Sequence, residues 1–263
     1  MKTPVIQLKS ALVGYGHQKG ACPIMSPINV TVSEGEFICL IGENGMGKST
    51  LLKSISGEIP ILSGEILING HLLSTISTRD LSAQMSLVLT DRMQIGLISV
   101  LDLVAFGRYP FTNWLAKMTG KDNQIVHEAM ESCGVLHLKD RFYSNLSDGE
   151  KQKVSIARAI AQQTPLILLD EPLNHLDLIN KAEIFSLLMG LCAEQNKTIV
   201  ISTHQVELAL QAADKIWLIN SNHQLIETTP DDAIKNQLFE QAFISDKVRF
   251  DPISRTFQLK TTL

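Results

Sequence analysis

Short unbroken apolar runs alternate along this chain with longer stretches whose apolar positions recur every three or four residues, and that alternation predicts an α/β fold. Glu36 to Ile41, Leu166 to Leu169 and Thr198 to Ser202 are nearly continuous apolar runs, as in strands buried on both faces of a helix-covered parallel sheet. Between the last two, Leu178 to Gln195 carries Ile184, Leu187, Leu188 and Leu191 at helical spacing, which makes a strand–helix–strand unit. Near the start, Gln7 to Leu12, Ile28 to Val32 and Glu65 to Ile68 read as strands beside turn residues and predict a separate antiparallel layer.

The middle of the chain has a different rhythm. From about residue 99 to 163 the signals are mostly helical. Lys121 to Cys133 places Ile125, Val126, Ala129, Met130 and Cys133 on one face. Glu150 to Gln163 is a second helix, begun by Ser147-Asp148-Gly149. The expectation is a single domain over 1–263, with a helical subdomain at about 99–163 inserted in the α/β core. A C-terminal helix (Pro230 to Glu240) and a short β-like tail complete 230–263.

Composition narrows the class. A chain of 263 residues suffices for one large core with an inserted subdomain. At 44% hydrophobic and 19% charged it reads as an ordinary globular protein. Its net charge of -4 gives no overall footprint for nucleic acid or anionic lipid. Cys22, Cys39, Cys133 and Cys192 form no CxxC pair and are expected as single buried thiols in a reducing compartment. The N-terminus lacks the apolar stretch of a signal peptide, and no window approaches the roughly 18 consecutive apolar residues of a membrane span. A cytosolic chain that meets a membrane only through a partner is the expectation.

Three segments carry chemistry. Gly42-Glu43-Asn44-Gly45-Met46-Gly47-Lys48-Ser49-Thr50 fits GxxxxGK[ST], directly after a predicted strand and before a helical run. Glycines let successive N–H groups curl around a phosphate, and the following helix presents its N-terminus to the same anion. Lys48 brings positive charge to the β- and γ-phosphates, and Ser49 offers a hydroxyl to Mg²⁺. The second segment, Leu166 to Glu171, is an apolar strand ending in two acids, which puts carboxylates at the carboxyl edge of a parallel sheet, where ligands sit in open α/β folds. Asp170 suits Mg²⁺ and Glu171 suits polarising a water. The third, Asn145 to Gln152, is a capped helix start, with the Ser147 hydroxyl and Gly149 placed for an anion.

In that order the segments resemble the ATP-binding-cassette ATPases, over about Gln7 to Glu240. Gly42 to Thr50 looks like their Walker A loop, contributing Gly42, Asn44, Gly45, Gly47, Lys48, Ser49 and Thr50. Leu166 to Glu171 looks like the Walker B strand, and Leu146 to Glu150 like the signature motif. His204, after TIVIS, resembles the switch histidine, and Asn174-His175-Leu176-Asp177 resembles the D-loop. Tyr15 lies where the family stacks an aromatic on adenine. The resemblance implies a P-loop NTPase core with an antiparallel β layer and an inserted helical subdomain, ATP and Mg²⁺ as ligands, and two subunits that sandwich two ATPs. The chain departs from the pattern in three places. The signature reads LSDGE where the family has LSGGQ, so Asp148 and Glu150 add negative charge near ATP. Thr90 stands where the Q-loop glutamine is expected, with Gln94 close by as a substitute.

Ser99 to Pro110 ends in an apolar run and Gly-Arg-x-Pro, similar to the importer ATPases for iron-siderophores, haem and cobalamin. That likeness implies permease subunits, an extracytoplasmic binding protein and attachment at the cytoplasmic face of the inner membrane. Phe106, Tyr109, Phe111 and Trp114 crowd a chain that is only 5% aromatic, and suit either a partner's helix or a small core. The rival readings are a cassette protein of translation or DNA repair and a P-loop kinase or GTPase. One phosphate loop, no heptad tract and net acidity argue against the first. The segment Leu146 to Glu150 argues against the second. His17, His71, His127, His137 and His223 have no convergent partners in the sequence and are read as surface or core residues.

Overall fold

In the computed structural model, which describes residues 3–16, 20–89, 96–112 and 117–260, the chain divides into two units, Met1–Thr75 with Thr198–Leu263, and Ile76–Lys197. The first unit opens with β1 (Pro4–Leu12), β2 (Gly14–Tyr15), β3 (Cys22–Pro23), β4 (Ile28–Ser33), β5 (Phe37–Ile41), α1 (Lys48–Ile55), β6 (Ser63–Ile68) and β7 (His71–Leu72). Strands β4, β1, β6 and β7 lie side by side in that order, and the pairs among them are antiparallel. The alternation of the sequence is what registers them. Ile6 faces Val32 on one side and Ile68 on the other, and Leu8 likewise faces Val30 and Ile66. All six are buried, so a slip of one residue would turn this face to water. This is the expected antiparallel layer.

The second unit contains α2 (Thr78–Gln84), β8 (Met85–Val88), α3 (Val100–Ala105), α4 (Gly120–Ser132), α5 (Asp148–Ala161), β9 (Leu166–Asp170) and α6 (Leu178–Gln195). Strands β8 and β9 pair in parallel, Met85 against Leu166 through Val88 against Leu169. Helix α4 buries Ile125, Val126, Ala129 and Met130, the face the spacing predicts, and Cys133 beyond it is buried too. Burial pushes the Cys133 thiol up to about 12, which makes it a packing group rather than a reactive one. Cys39 is buried as well, whereas Cys22 is exposed, against the expectation of buried thiols. It lies on β3 of the short hairpin β2–β3, both of whose β3 residues are exposed.

The chain then returns to the first unit with β10 (Thr198–Ser202), α7 (Val206–Ala212), β11 (Lys215–Ile219), β12 (Leu225–Thr228), α8 (Pro230–Lys235), α9 (Leu238–Ala242), β13 (Val248–Asp251) and β14 (Thr256–Leu259). β5 runs between β10 and β11, parallel to both, and β12 closes antiparallel on β11. Every residue of β5 and β10 is buried, which explains their unbroken apolar composition. The helix expected over Pro230 to Glu240 is two. Gln237 takes φ +54 and turns the chain between α8 and α9. The tail is a hairpin of β13 and β14, tied to α9 by the ring contact Phe239–Phe250 (4.8 Å), while Phe250 and Phe257 meet across the hairpin at 5.3 Å.

Candidate functional site

The phosphate loop occupies the turn from β5 into α1, in the first unit. Gly47 is the N-cap of α1 at φ +92, where a Cβ would lie 2.5 Å from Ile24 Cγ2, so both backbone and space demand glycine. No side chain caps this helix and no acid stands in its first turn. An anion is what such a terminus favours. Lys48 is buried, and its Nζ donates to the carbonyls of Gly42 (2.9 Å) and Glu43 (3.1 Å). Asn44 and Gly45 are exposed at the crown of the loop, Ser49 is half-buried and Thr50 is buried. Tyr15 brings its hydroxyl to 3.2 Å from Thr50 Oγ1 while its side chain stays half exposed.

His204 follows β10 and reaches the same loop, with Nε2 3.5 Å from Lys48 Nζ. Its neighbours fix the approach. The Thr203 amide donates to Leu40 at 3.1 Å, and the Gln205 amide donates to Thr203 Oγ1 at 3.0 Å. The first unit thus gathers Tyr15, Gly42 to Thr50 and His204.

The second unit gathers the acids and the signature segment. Asp170 ends β9 at 1% exposure. Glu171 follows at φ +46, a left-handed conformation that costs a non-glycine residue about 1–2 kcal/mol. Asn174 Nδ2 donates to Glu171 Oε2 at 2.7 Å, which aims the carboxylate. Sequence reading placed Asn174 in the D-loop and missed this bond; its signal is an amide three residues past the acid, within reach across one turn. His175 is also left-handed, at φ +64. Asp177 caps α6 by accepting from the Asn180 amide at 2.8 Å.

Ser147 is the N-cap of α5 and forms a closed capping box with Glu150. The Glu150 amide donates to Ser147 Oγ at 3.3 Å, and Glu150 Oε2 accepts from both the Ser147 amide and hydroxyl at 2.8 Å. Those two bonds, the backbone one first, hold the Glu150 carboxyl below the usual carboxylate range. So the glutamate in place of glutamine has a local job, as the cap of its own helix. A Cβ at Gly149 would stand 3.2 Å from the His175 carbonyl oxygen, which leaves little room for a larger residue. Thr90 and Gln94 lie outside the described residues.

The Gly-Arg-x-Pro segment turns out to be a strut. A Cβ at Gly107 would lie 2.4 Å from the Arg158 carbonyl oxygen, so the chain here runs against α5. Arg108 is buried. It donates to Asp122 Oδ1 (2.9 Å) at the start of α4 and to the Ala161 carbonyl (3.0 Å) at the end of α5. That leaves Phe106, Tyr109 and Phe111 between 37% and 49% exposed, with the Phe106 and Tyr109 rings tilted at 50° and their centroids 4.7 Å apart. Trp114 lies outside the described residues.

Among the described residues no three His, Cys, Asp or Glu side chains gather to hold a metal. The candidate donors are a hydroxyl, Ser49, and a carboxylate, Asp170. Hard oxygens of these two kinds, one in each unit, suit Mg²⁺, which takes one or two protein ligands and completes its shell with phosphate and water.

Comparison with known proteins agrees on the class. The family described as "ABC transporter" matches residues 25–174. A petrobactin import ATP-binding protein of Bacillus anthracis is 32% identical, over 95% of this chain and 91% of that protein. An iron(3+)-hydroxamate import ATP-binding protein of Bacillus subtilis is 32% identical, over 94% and 93%. Among solved structures, an inward-facing transporter described as metal-chelate type is 29% identical with TM-score 0.76, over 91% of this chain and 89% of that one. A dimeric cassette in a post-hydrolysis state, bound to ADP and Pi, is 25% identical with TM-score 0.76, over 86% and 98%.

Proposed function

From the premise that this chain belongs to the ABC transporter family, as an ATP-hydrolysing subunit, we propose that it powers uptake of a ferric siderophore or a related metal chelate. The observation that carries the cargo class is likeness over more than nine-tenths of both chains to ATP-binding proteins named for petrobactin and iron(3+)-hydroxamate import. The Gly107-Arg108-Tyr109-Pro110 segment supports it.

In this reading the uncapped start of α1 and Lys48 hold the triphosphate, and Tyr15 stacks on adenine. Ser49 and Asp170 would hold Mg²⁺, which would supply neutralising charge to the triphosphate. Glu171, aimed by Asn174, orients the water that attacks the γ-phosphate, and His204 contacts that phosphate. Because Glu171 is held in place before substrate arrives, little reorganisation is left for the reacting state. Ser147 and Gly149 of one subunit act on the ATP of a second copy, an arrangement supported by the dimeric form of the post-hydrolysis cassette. Phe106, Tyr109 and Phe111 face a permease subunit. No described helix is long and apolar enough to cross a membrane, so the permease would carry the subunit to the cytoplasmic face, with an extracytoplasmic binding protein delivering cargo.

The test is complementation. Cells lacking this chain should lose uptake of ferric siderophore and keep amino-acid uptake. Wild type should restore it and Glu171→Gln should not, although the purified variant still binds ATP and forms more ATP-bound dimer than wild type. Siderophore uptake that persists without the chain refutes the cargo class. Hydrolysis by Glu171→Gln within a few-fold of wild type refutes the role of the glutamate.

A further inference from the structure

The Val206 amide donates to the His204 carbonyl at 3.1 Å, so α7 begins directly behind the switch imidazole. The C-terminal segment reaches the same place. Between them lies a cavity of about 360 Å³, with Glu43, His204 and Glu207 among its polar lining and Phe243, Val248 and Phe257 among its apolar lining. Phe243 and Phe257 meet edge to face, with centroids 5.4 Å apart at 77°. The volume falls in the range of small-molecule sites, and mixed lining of this kind gives such sites their orientation and specificity. Two carboxylates beside aromatic rings favour a cation on an apolar body and disfavour an anion.

We propose that this cavity binds a small organic cation, an ammonium or guanidinium group carried on an apolar body, and that its occupancy is coupled to nucleotide binding through His204. The imidazole that lines the cavity also stands 3.5 Å from Lys48 Nζ in the phosphate loop, so a ligand that shifts this side chain changes the loop's surroundings. The coupling rests on the reading of His204 as a γ-phosphate contact; the binding does not. Coupling between two ligands is reciprocal by linkage: each must change the other's affinity by the same factor.

Calorimetry on the full chain with phenethylammonium, 2-phenylethanol and phenylacetate tests the site, because the three probes share a ring and differ in charge. The ammonium should bind about tenfold or more tighter than the alcohol, and the acid more weakly than either. Glu207→Gln should narrow the gap between ammonium and alcohol to about threefold or less. Val248→Trp fills the volume with a residue that suits a strand, and should abolish ammonium binding while ATP still binds. Equal affinities for the three probes, no binding of the ammonium, or an affinity indifferent to both substitutions overturns the site. The ammonium and ATP should shift each other's dissociation constants equally, and independent binding overturns the coupling. Failure of the nucleotide reading would register elsewhere, as unchanged ATP affinity in Lys48→Ala.

Discussion

Two helix starts in this molecule suit an anion, and they are built in opposite ways. Helix α1 begins at a left-handed glycine with no side-chain cap and no acid in its first turn. Helix α5 begins at Ser147, closed by Glu150 in a capping box, with Asp148 and Glu150 both in the first turn. The end of a helix carries unsatisfied N–H groups that must find partners. In α1 no side chain caps the start, and the buried ammonium of Lys48 stands in the same loop. In α5 two amides, those of Glu150 and of Ser147 itself, are met by the side chains of the capping box. The difference teaches that, in the proposed reading, the phosphate loop is open to its ligand without any local cap having to be displaced. The start of α5 carries its own cap, and in the proposed dimer an approaching nucleotide would have to compete with Glu150 for the Ser147 hydroxyl.

The sharpest way to break that contrast is to remove the charge from the uncapped start. Lys48→Ala should weaken ATP binding by roughly a hundredfold or more, since a triphosphate loses its charge-assisted partner in a buried place. Calorimetry with ATP reads this directly, and an unchanged affinity would remove the phosphate loop from the site. Gly47→Ala should come next. It adds a Cβ at φ +92 against Ile24, and the left-handed strain plus overpacking should cost about 2–4 kcal/mol. Thermal or urea unfolding measures it. A loss confined to a few tenths would mean that the loop relaxes easily and is not held for its ligand.

The two starts were not equally legible. The phosphate loop shows in sequence because its chemistry is local: glycines, lysine and serine act through backbone only a few residues apart. The buried strands β5, β9 and β10 show for the same reason, as runs of apolar residues. Ser147 with an acid three residues on is a readable cap pattern, yet a capping glutamate and a glutamate facing a ligand have one spelling. Arg108 was hidden too. Its partners, Asp122 and the Ala161 carbonyl, lie 14 and 53 residues away, and no periodicity links them. The break at Gln237 was missed because its left-handed turn rests on neither glycine nor asparagine, the residues that announce one. Asn174 shows in sequence only as part of a segment resembling the D-loop, and its bond to Glu171 needed the geometry of the turn.

Helix α4 sharpens the comparison, being capped like α5 but bound to a buried cation. The Thr119 hydroxyl and amide bond Asp122, and with the Arg108 guanidinium beside it they hold its carboxyl down at about 2, from an ordinary 3.8. A lowered folded value means the carboxylate's stabilisation is complete above pH 3.8 and is lost as pH falls through about 2. Asp122→Asn should remove about 1.5–3 kcal/mol at neutral pH, the range for a hydrogen bond to a charged group. It should also flatten the acid limb of the stability curve between those two values. A variant whose stability follows the wild-type curve down to pH 2 would show that Arg108 draws its support from the α5 carbonyl alone.

The smallest expected effect tests the capped start itself. Glu150→Gln keeps an oxygen that can accept from the Ser147 amide, so the cap should survive and the melting temperature should move by only about 2 °C or less. What changes is charge. The wild-type carboxylate is held low by its bonds to Ser147, so the stability it adds is present at neutral pH and fades as acid protonates it; the amide has no such dependence. With ATP, the neutral variant should dimerise more tightly by about two- to fivefold, the scale of one partly screened charge. The gain should shrink in 0.5 M salt, roughly in step with the shorter screening length. Light scattering against ATP concentration at two ionic strengths measures both. Weaker dimerisation by the amide at low salt would mean that the carboxylate positions Ser147 for the nucleotide, and the contrast between the two helix starts would then be one of preparation rather than of competition.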